Sequence, residues 1–305
     1  MNITLPPIVA LLFIPGGLFL LFGGLVYEYA DRKLVAQFQN RVGPRWFQPL
    51  ADIVKLLAKE EIVPDGVNPL LFHMLPVVAT VGTLTAALYV PMAGLVPAYS
   101  FKGDLVVTLY LLSLMTMCMG LAGANTINRF ALVGATRALT QLFSYEAPFL
   151  LALLGPAIVA NTWQISEVNA WAGGHWWIVL TQPVGFVVAL VGLMGKLELP
   201  PFDSPEAETE IVAGPMTEYS GRGWAIFRIG RNVELFVGLA LMATFYLGGI
   251  ANPLEFVLKT GALLVVTAGL QALFCRLRID QTVGLWWRLG ILLALGQLLV
   301  LAFIK

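Results

Sequence analysis

The chain has 305 residues, 58% of them hydrophobic and 12% charged, with 18 basic and 18 acidic side chains and a mean hydropathy of +0.82. Soluble domains carry roughly 25% charged residues, so the composition is that of an integral membrane protein, and a formal net charge of zero gives no electrostatic basis for a nucleic-acid partner. Two cysteines (Cys118, Cys275) and two histidines (His73, His175) form no cluster for zinc, haem or an iron–sulfur centre, and no GxGxxG, Walker lysine loop or nucleophile elbow occurs. Both cysteines lie in apolar runs and read as small buried hydrophobes. The chain is therefore expected to bind no redox cofactor of its own, which leaves any redox chemistry to partners.

Eight apolar windows are long enough to span a bilayer, at 7–29, 69–91, 104–124, 139–160, 176–195, 233–250, 256–275 and 285–304, each supplying the ~20 residues a crossing needs. The sixth is the shortest. The first has no small-residue cleavage site and reads as a retained span. The expected fold is an all-α polytopic membrane helix bundle, one integral membrane domain over residues 1–305 with about eight transmembrane helices. Fifteen of the 18 basic residues fall in alternate loops, including Arg32, Lys33, Arg41, Arg45, Lys55, Arg129, Arg137, Lys196, Arg222, Arg228, Arg231, Arg276 and Arg278. The positive-inside rule places those loops in the cytoplasm and both termini on the other side.

The first cytoplasmic loop, about 31–67, is long for a bundle connection. Phe47, Leu50, Val54 and Leu57 recur in it at helical spacing, with Asp52, Lys55, Lys59 and Glu60 on other faces. That pattern predicts an amphipathic helix along the membrane surface or under a partner, preceded by a basic turn, Arg41-Val42-Gly43-Pro44-Arg45. Glu146 sits several residues inside the fourth window, and an acid there is a functional candidate. Arg137, nine residues earlier, is too distant along a helix to pair with it. Glu234 and Glu255 read as interfacial and Asp280 as a partner in a surface ion pair. Trp171, Trp176, Trp177, Trp286 and Trp287, near window ends, read as interfacial anchors. No repeat of 20–50 residues is visible.

The second cytoplasmic loop, about 196–232, contains the stretch GKLELPPFDSPEAETEIVAGPMTEYSGR (195–222), which holds six of the 18 acids: Glu198, Asp203, Glu206, Glu208, Glu210 and Glu218. Each ionised carboxylate near lipid is costly unless paired or wetted. Asp203 and Ser204 suit a helix N-cap and Pro205 the first helical position. In one helix Glu206 and Glu210 stack at i and i+4, where like charges repel and one relieves the strain by holding a proton. A solvated surface loop is the plain alternative; the interspersed Pro200, Pro201, Phe202, Ile211, Pro215 and Met216 speak against it.

These motifs resemble a known family. PFDSPEAETEIVAG followed by TEYSG is similar to the signature loop of the H subunit of respiratory complex I, the mitochondrial subunit one of NADH dehydrogenase, and of the matching subunit in group 4 energy-converting [NiFe] hydrogenases. Asp31-Arg32-Lys33, QNRVGP (39–44) and QPLADIVKLLAKEEIVP (48–64) resemble that family's first cytoplasmic loop, and SYEAP (144–148) its fourth-span motif. The likeness runs in order from about residue 26 to 280.

The resemblance implies a subunit that anchors a peripheral redox arm and starts a polar path into antiporter-like membrane subunits. It implies proton-path roles for Glu146, Asp203, Glu206, Glu208, Glu210, Glu218 and Asp31, the last standing where the family usually has Glu. Arg41, Arg45, Asp52, Lys55, Glu60 and Arg222 are the arm-docking candidates. It implies arm partners resembling the NiFe large subunit and an iron–sulfur small subunit, with NiFe and iron–sulfur clusters held by them. Quinone-reducing members usually read ETNRxPFD, whereas this chain reads KLELPPFD, with Gly195 before it and Gly214-Pro215 before TEYSG. Those departures, Arg276–Asp280 and the modest length are more like the hydrogenase branch. The alternatives are the H subunit of an NADH-, F420H2- or ferredoxin-quinone oxidoreductase with part of a quinone site, a stand-alone proton-coupled transporter, and a purely structural anchor.

Overall fold

A computed structural model describes residues 16–175 and 178–304. The start of the first apolar window, and Trp176 and Trp177, lie outside the described residues. Side-chain caps and prolines begin the long helices. Asn68 accepts from the Leu70 N–H at 3.1 Å ahead of Pro69, and Asn128 accepts from the Phe130 N–H at 2.8 Å. Each satisfies a donor that the first turn leaves open. The helices in order are α1 (Gly17–Phe38), α2 (Gln48–Ala58), α3 (Pro69–Ala87), α4 (Asp104–Ala124), α5 (Arg129–Ala160), α6 (Ile165–Ala172), α7 (Ile178–Thr181), α8 (Pro183–Lys196), α9 (Glu208–Ile211), α10 (Gly221–Tyr246), α11 (Pro253–Leu273), α12 (Ile279–Leu285) and α13 (Ile291–Ile304), the last two joined by a π turn at Trp286–Gly290.

Helices α3, α4, α5 and α11 and the run Ile279–Phe303 are long and apolar enough to cross a membrane. Helices α1 and α10 have the length but carry charged turns at one end, and α7 and α8 share one window that breaks at Gln182–Pro183. The chain is thus the expected all-α membrane bundle, with α2 as its surface helix. The sixth window, the shortest by hydropathy, is the second half of the 26-residue α10. Its first turns hold Arg222, Arg228 and Arg231 and so look like loop in a hydropathy reading.

Helix α10 is the hub. Almost every residue from Asn232 to Tyr246 is buried, and Phe236 meets Phe19, Tyr27 and Phe256 at centroid distances of 5.6, 4.7 and 5.4 Å. Edge contacts of this kind add directional packing to area burial. A second cluster stacks Phe72 on Tyr219 at 4.2 Å, which ties the end of the acidic loop to α3.

The acidic stretch is not one helix. It folds as a 3-10 turn (Ser204–Glu206), the short α9 and a second 3-10 turn (Gly214–Met216). Asp203 makes no capping bond; its carboxylate is taken by Arg276 instead. The loop lies directly on the bundle: a Cβ on Gly134 would come 2.6 Å from Pro215, and one on Gly123 would come 2.9 Å from it. Gly214 itself has φ +54 with the Pro205 carbonyl against it, a conformation and a clearance only glycine admits.

Other expectations change in the same way. Helix α2 forms, but Pro49, Ile53 and Leu56 pack inward while Phe47, Leu50, Val54 and Leu57 stay exposed. Trp286 is core, packed on Phe202 at 5.6 Å, whereas Trp287 is exposed. Cys118 is buried, but Cys275 is exposed just past α11. Glu234 is buried rather than interfacial. Asp280 has no ion pair among the described residues, and Arg276 is engaged by Asp203.

Candidate functional site

Charged side chains converge where the acidic loop meets α1, α2 and α10. Arg228 and Arg231, three residues apart on α10, face opposite halves of one cavity of about 560 Å³. On one side Arg228 reaches Glu28 at 2.7 Å and Asp52 at 3.0 Å. Arg32 backs the same two acids at 3.4 and 3.3 Å, and Asn232 donates to Glu28 at 2.5 Å. On the other side Arg231 reaches Glu206 at 2.5 Å and Glu198 at 3.1 Å. Arg276 closes the rim on Asp203 at 2.6 Å.

Two carboxyls respond oppositely to this setting. Burial raises Asp52, but donors from Gln48 and Arg32 and the charge of Arg228 outweigh it and hold the group below its usual range. Glu198 is fully enclosed. Burial pushes its carboxyl up to about 7, Arg231 pulls it down, and Glu206 adds to the rise. Glu198 also has φ +52, unusual for a residue with a side chain, and its Oε1 has no hydrogen-bond partner among the described residues. A carboxyl poised near neutrality at the wall of a charged cavity can bind or release a proton as neighbouring charges change.

Deeper in the bundle, Glu146 on α5 accepts from Lys196 Nζ at 3.1 Å and from Ser113 Oγ at 2.5 Å. Lys196, at the end of α8, is fully enclosed and also donates to Ser113 at 2.7 Å. Enclosed ions of this kind persist only when paired and hydrogen-bonded. Among the described residues no group of three Asp, Glu, His or Cys side chains is placed to hold a metal ion.

The structure separates the sequence-derived candidates. Asp31, Asp203, Glu206 and Glu208 line the cavity; Asp31 accepts from Gln271 at 2.9 Å. Glu210 turns outward to Arg137 at 2.8 Å, so Glu206 and Glu210 each have their own arginine and do not strain one another. Glu218 accepts from Asn128 at 2.5 Å, at the start of α5 and away from the cavity. Glu146 belongs to the deeper cluster. Of the docking candidates, Arg41, Arg45, Lys55, Glu60 and Arg222 are exposed, while Asp52 points into the ion network. Sequence reasoning did not single out Glu28, Lys196, Arg228, Arg231 or Asn232. The available signal was the i, i+3 arginine pair running into an apolar window, and an acid in the last turn of the first one.

Known proteins share this architecture. The sequence model of the NADH dehydrogenase family matches residues 10–302. The H subunit of NADH-quinone oxidoreductase from Carboxydothermus hydrogenoformans is 32% identical over 301 residues, covering 93% of this chain and 85% of that protein. The H subunit of the same enzyme from Bacillus thuringiensis subsp. konkukian is 30% identical, covering 94% and 91%. Among solved structures, a chain of the membrane-bound sulfane sulfur reductase, an archaeal respiratory membrane complex, superposes with a TM-score of 0.85 over 93% of this chain and 96% of that one. At 24% identity that likeness shows the fold. Nearly the whole chain is thus accounted for by one family, and it belongs to the NADH dehydrogenase family, as a multi-pass membrane protein of the H-subunit type found in oxidoreductase complexes.

Proposed function

We propose that this chain is the junction subunit of an ion-translocating membrane oxidoreductase: it seats a peripheral redox arm on its loop face and turns electron arrival there into protonation changes at enclosed carboxylates. The observation that carries the reading is the cavity walled by Glu28, Glu198, Glu206, Arg228 and Arg231, between the acidic loop and helices α1 and α10. In a poorly solvated site a unit charge several ångströms away shifts a carboxyl strongly, whereas exposed acids are screened within about 10 Å. Arg41, Arg45, Lys55, Glu60 and Arg222, all exposed, are the proposed arm contacts. The loop face is then cytoplasmic, in keeping with the distribution of basic residues.

Within that role we favour a hydrogenase-type complex, whose arm subunits carry NiFe and iron–sulfur centres. Its support is the loop sequence: Lys196, Glu198 and Leu199 stand where the quinone-reducing pattern has Glu, Asn and Arg. A second reading, a quinone-reducing complex, is favoured by the names of the two relatives. An apolar cavity of about 200 Å³ between α1, α2 and α10, which shares Asn232 with the charged one, also favours it. Nickel in the purified complex supports the first; quinone reduction without nickel supports the second. For the coupling role, Glu206→Gln and Glu146→Gln should each abolish ion pumping or turnover while the complex still assembles. Full activity and full pumping in both variants would refute it.

A further inference from the structure

The charged cavity and the Glu146 cluster lie within electrostatic reach of each other at Glu234. Lys196 Nζ is 3.1 Å from Glu146, and the buried Glu234 stands on the neighbouring helix α10. Glu234 is within electrostatic reach of Lys196, Arg231, Glu198 and Glu146, and its Oε1 has no hydrogen-bond partner among the described residues. Glu198 and Arg231 belong to the cavity wall. From the cavity to Glu146 the charged groups are therefore Glu206, Arg231 and Glu198, then Glu234, Lys196 and Glu146, two acid–base–acid groups that meet electrostatically at Glu198 and Glu234.

Beyond Glu146 the surroundings change. Its side chain is 23% exposed, and it forms the floor of a cleft of about 470 Å³ between α4 and α5 with apolar walls that include Val107, Tyr110, Leu114, Met117, Leu142 and Phe143. Tyr110 and Phe143 are 63% and 67% exposed on the bundle's flank. Lys196 itself is fully buried behind Ser113 and Glu146, with the rings of Tyr145 and Phe149 at 5.5 and 5.8 Å from Nζ. Of the two basic residues on this line, only the lysine can give up a proton, because a guanidinium stays charged in proteins.

We infer that Lys196 is the proton-transfer residue between the cavity and the flank cleft, alternating between Glu234 and Glu146. The inference rests on the coupling role proposed above. One Nζ–H bond of the ammonium breaks as an O–H bond forms on Glu146 Oε2, which leaves a neutral amine beside a neutral carboxylic acid. Glu146 passes that proton to a water molecule in the cleft, which becomes hydronium and hands it on to a carboxylate of a neighbouring transmembrane subunit. The amine takes a proton from the carboxyl of Glu234, which is refilled from the cavity through Glu198. Each step moves one proton and no electrons, and the net result is one proton carried from cavity to cleft. Four flexible methylenes make the lysine a short swinging arm, which the Glu that the quinone-reducing pattern has at this position is not.

The test is labelling of Glu146 in native membranes with dicyclohexylcarbodiimide, an apolar electrophile that partitions into such a cleft, takes the proton of a protonated carboxyl on nitrogen and is then captured by the carboxyl oxygen. The modified peptide is quantified by mass spectrometry, with membranes poised oxidised by ferricyanide or reduced by dithionite. In the wild type, labelling should differ several-fold between the two poises. Lys196→Gln removes the cation at 3.1 Å, so labelling should be high at both poises, by roughly tenfold or more over the lower wild-type level. Lys196→Arg keeps a charge that cannot leave, so labelling should be low at both. Equal labelling of the wild type at both poises, or poise-dependent labelling in Lys196→Arg, overturns the inference. Should the arginine variant fail to assemble, the wild type and Lys196→Gln still decide it: labelling that does not rise in Lys196→Gln overturns it. The coupling role fails separately, through normal pumping in Glu146→Gln and Glu206→Gln.

Discussion

Arg231→Gln is the sharpest test of the cavity electrostatics. The substitution strips the cation from two acids of different exposure, Glu198 with a 2% exposed side chain and Glu206 with 28%. Solvent rescues much of Glu206, so Glu198 dominates the loss. Breaking an enclosed pair typically costs 3–5 kcal/mol, and with one partner partly wetted we expect about 3 kcal/mol at about pH 8. The pH dependence follows from the raised carboxyl. With a folded value of about 7 against an ordinary 4.5, the protonated form is the one the fold favours. That advantage is full below the unfolded value and is lost as pH rises through 7. Removing Arg231 raises the folded value further, so the variant's deficit grows with pH. At about pH 5 Glu198 is already neutral, and the deficit should shrink to about 1 kcal/mol, the worth of a lost hydrogen bond. Thermal unfolding of the purified complex at the two pH values measures this. The double variant Arg231→Gln/Glu198→Gln should recover most of the loss at the higher pH, since contacting residues couple. Equal losses at both pH values, or no recovery in the double variant, would refute the reasoning.

Two further substitutions separate loop geometry from surface charge. Gly214→Ala puts a Cβ against the Pro205 carbonyl at a positive φ; about 2 kcal/mol of destabilisation is expected, with loosening of the 197–220 loop seen as faster amide exchange. Unchanged exchange would show that the loop is not held by that close approach. Arg137→Gln breaks a pair whose Glu210 is 54% exposed, so it should alter stability by no more than about 1 kcal/mol. A larger drop in unfolding temperature would mean that the pair is covered in the assembled complex.

Much of this protein is legible without coordinates. Apolar windows fix the helices, because a chain in lipid must satisfy its backbone hydrogen bonds within each segment. The motif order fixes the family, since three separate stretches match in register over most of the chain. Glu146 and the acids of the 195–222 loop stand out because charge is rare elsewhere. What the sequence could not show is which charges share a space. Glu28 and Arg228 are 200 positions apart and 2.7 Å apart in the fold. Lys196 and Glu146 are 50 apart and come to 3.1 Å. Hydropathy treats Arg228 and Arg231 as loop and Lys196 as an end-of-helix cation, because it weighs each residue by its neighbours along the chain. Helix packing weighs them by neighbours across the bundle. The low dielectric there makes an ion's partner, rather than its place in the sequence, decide whether it is tolerated and whether it holds a proton.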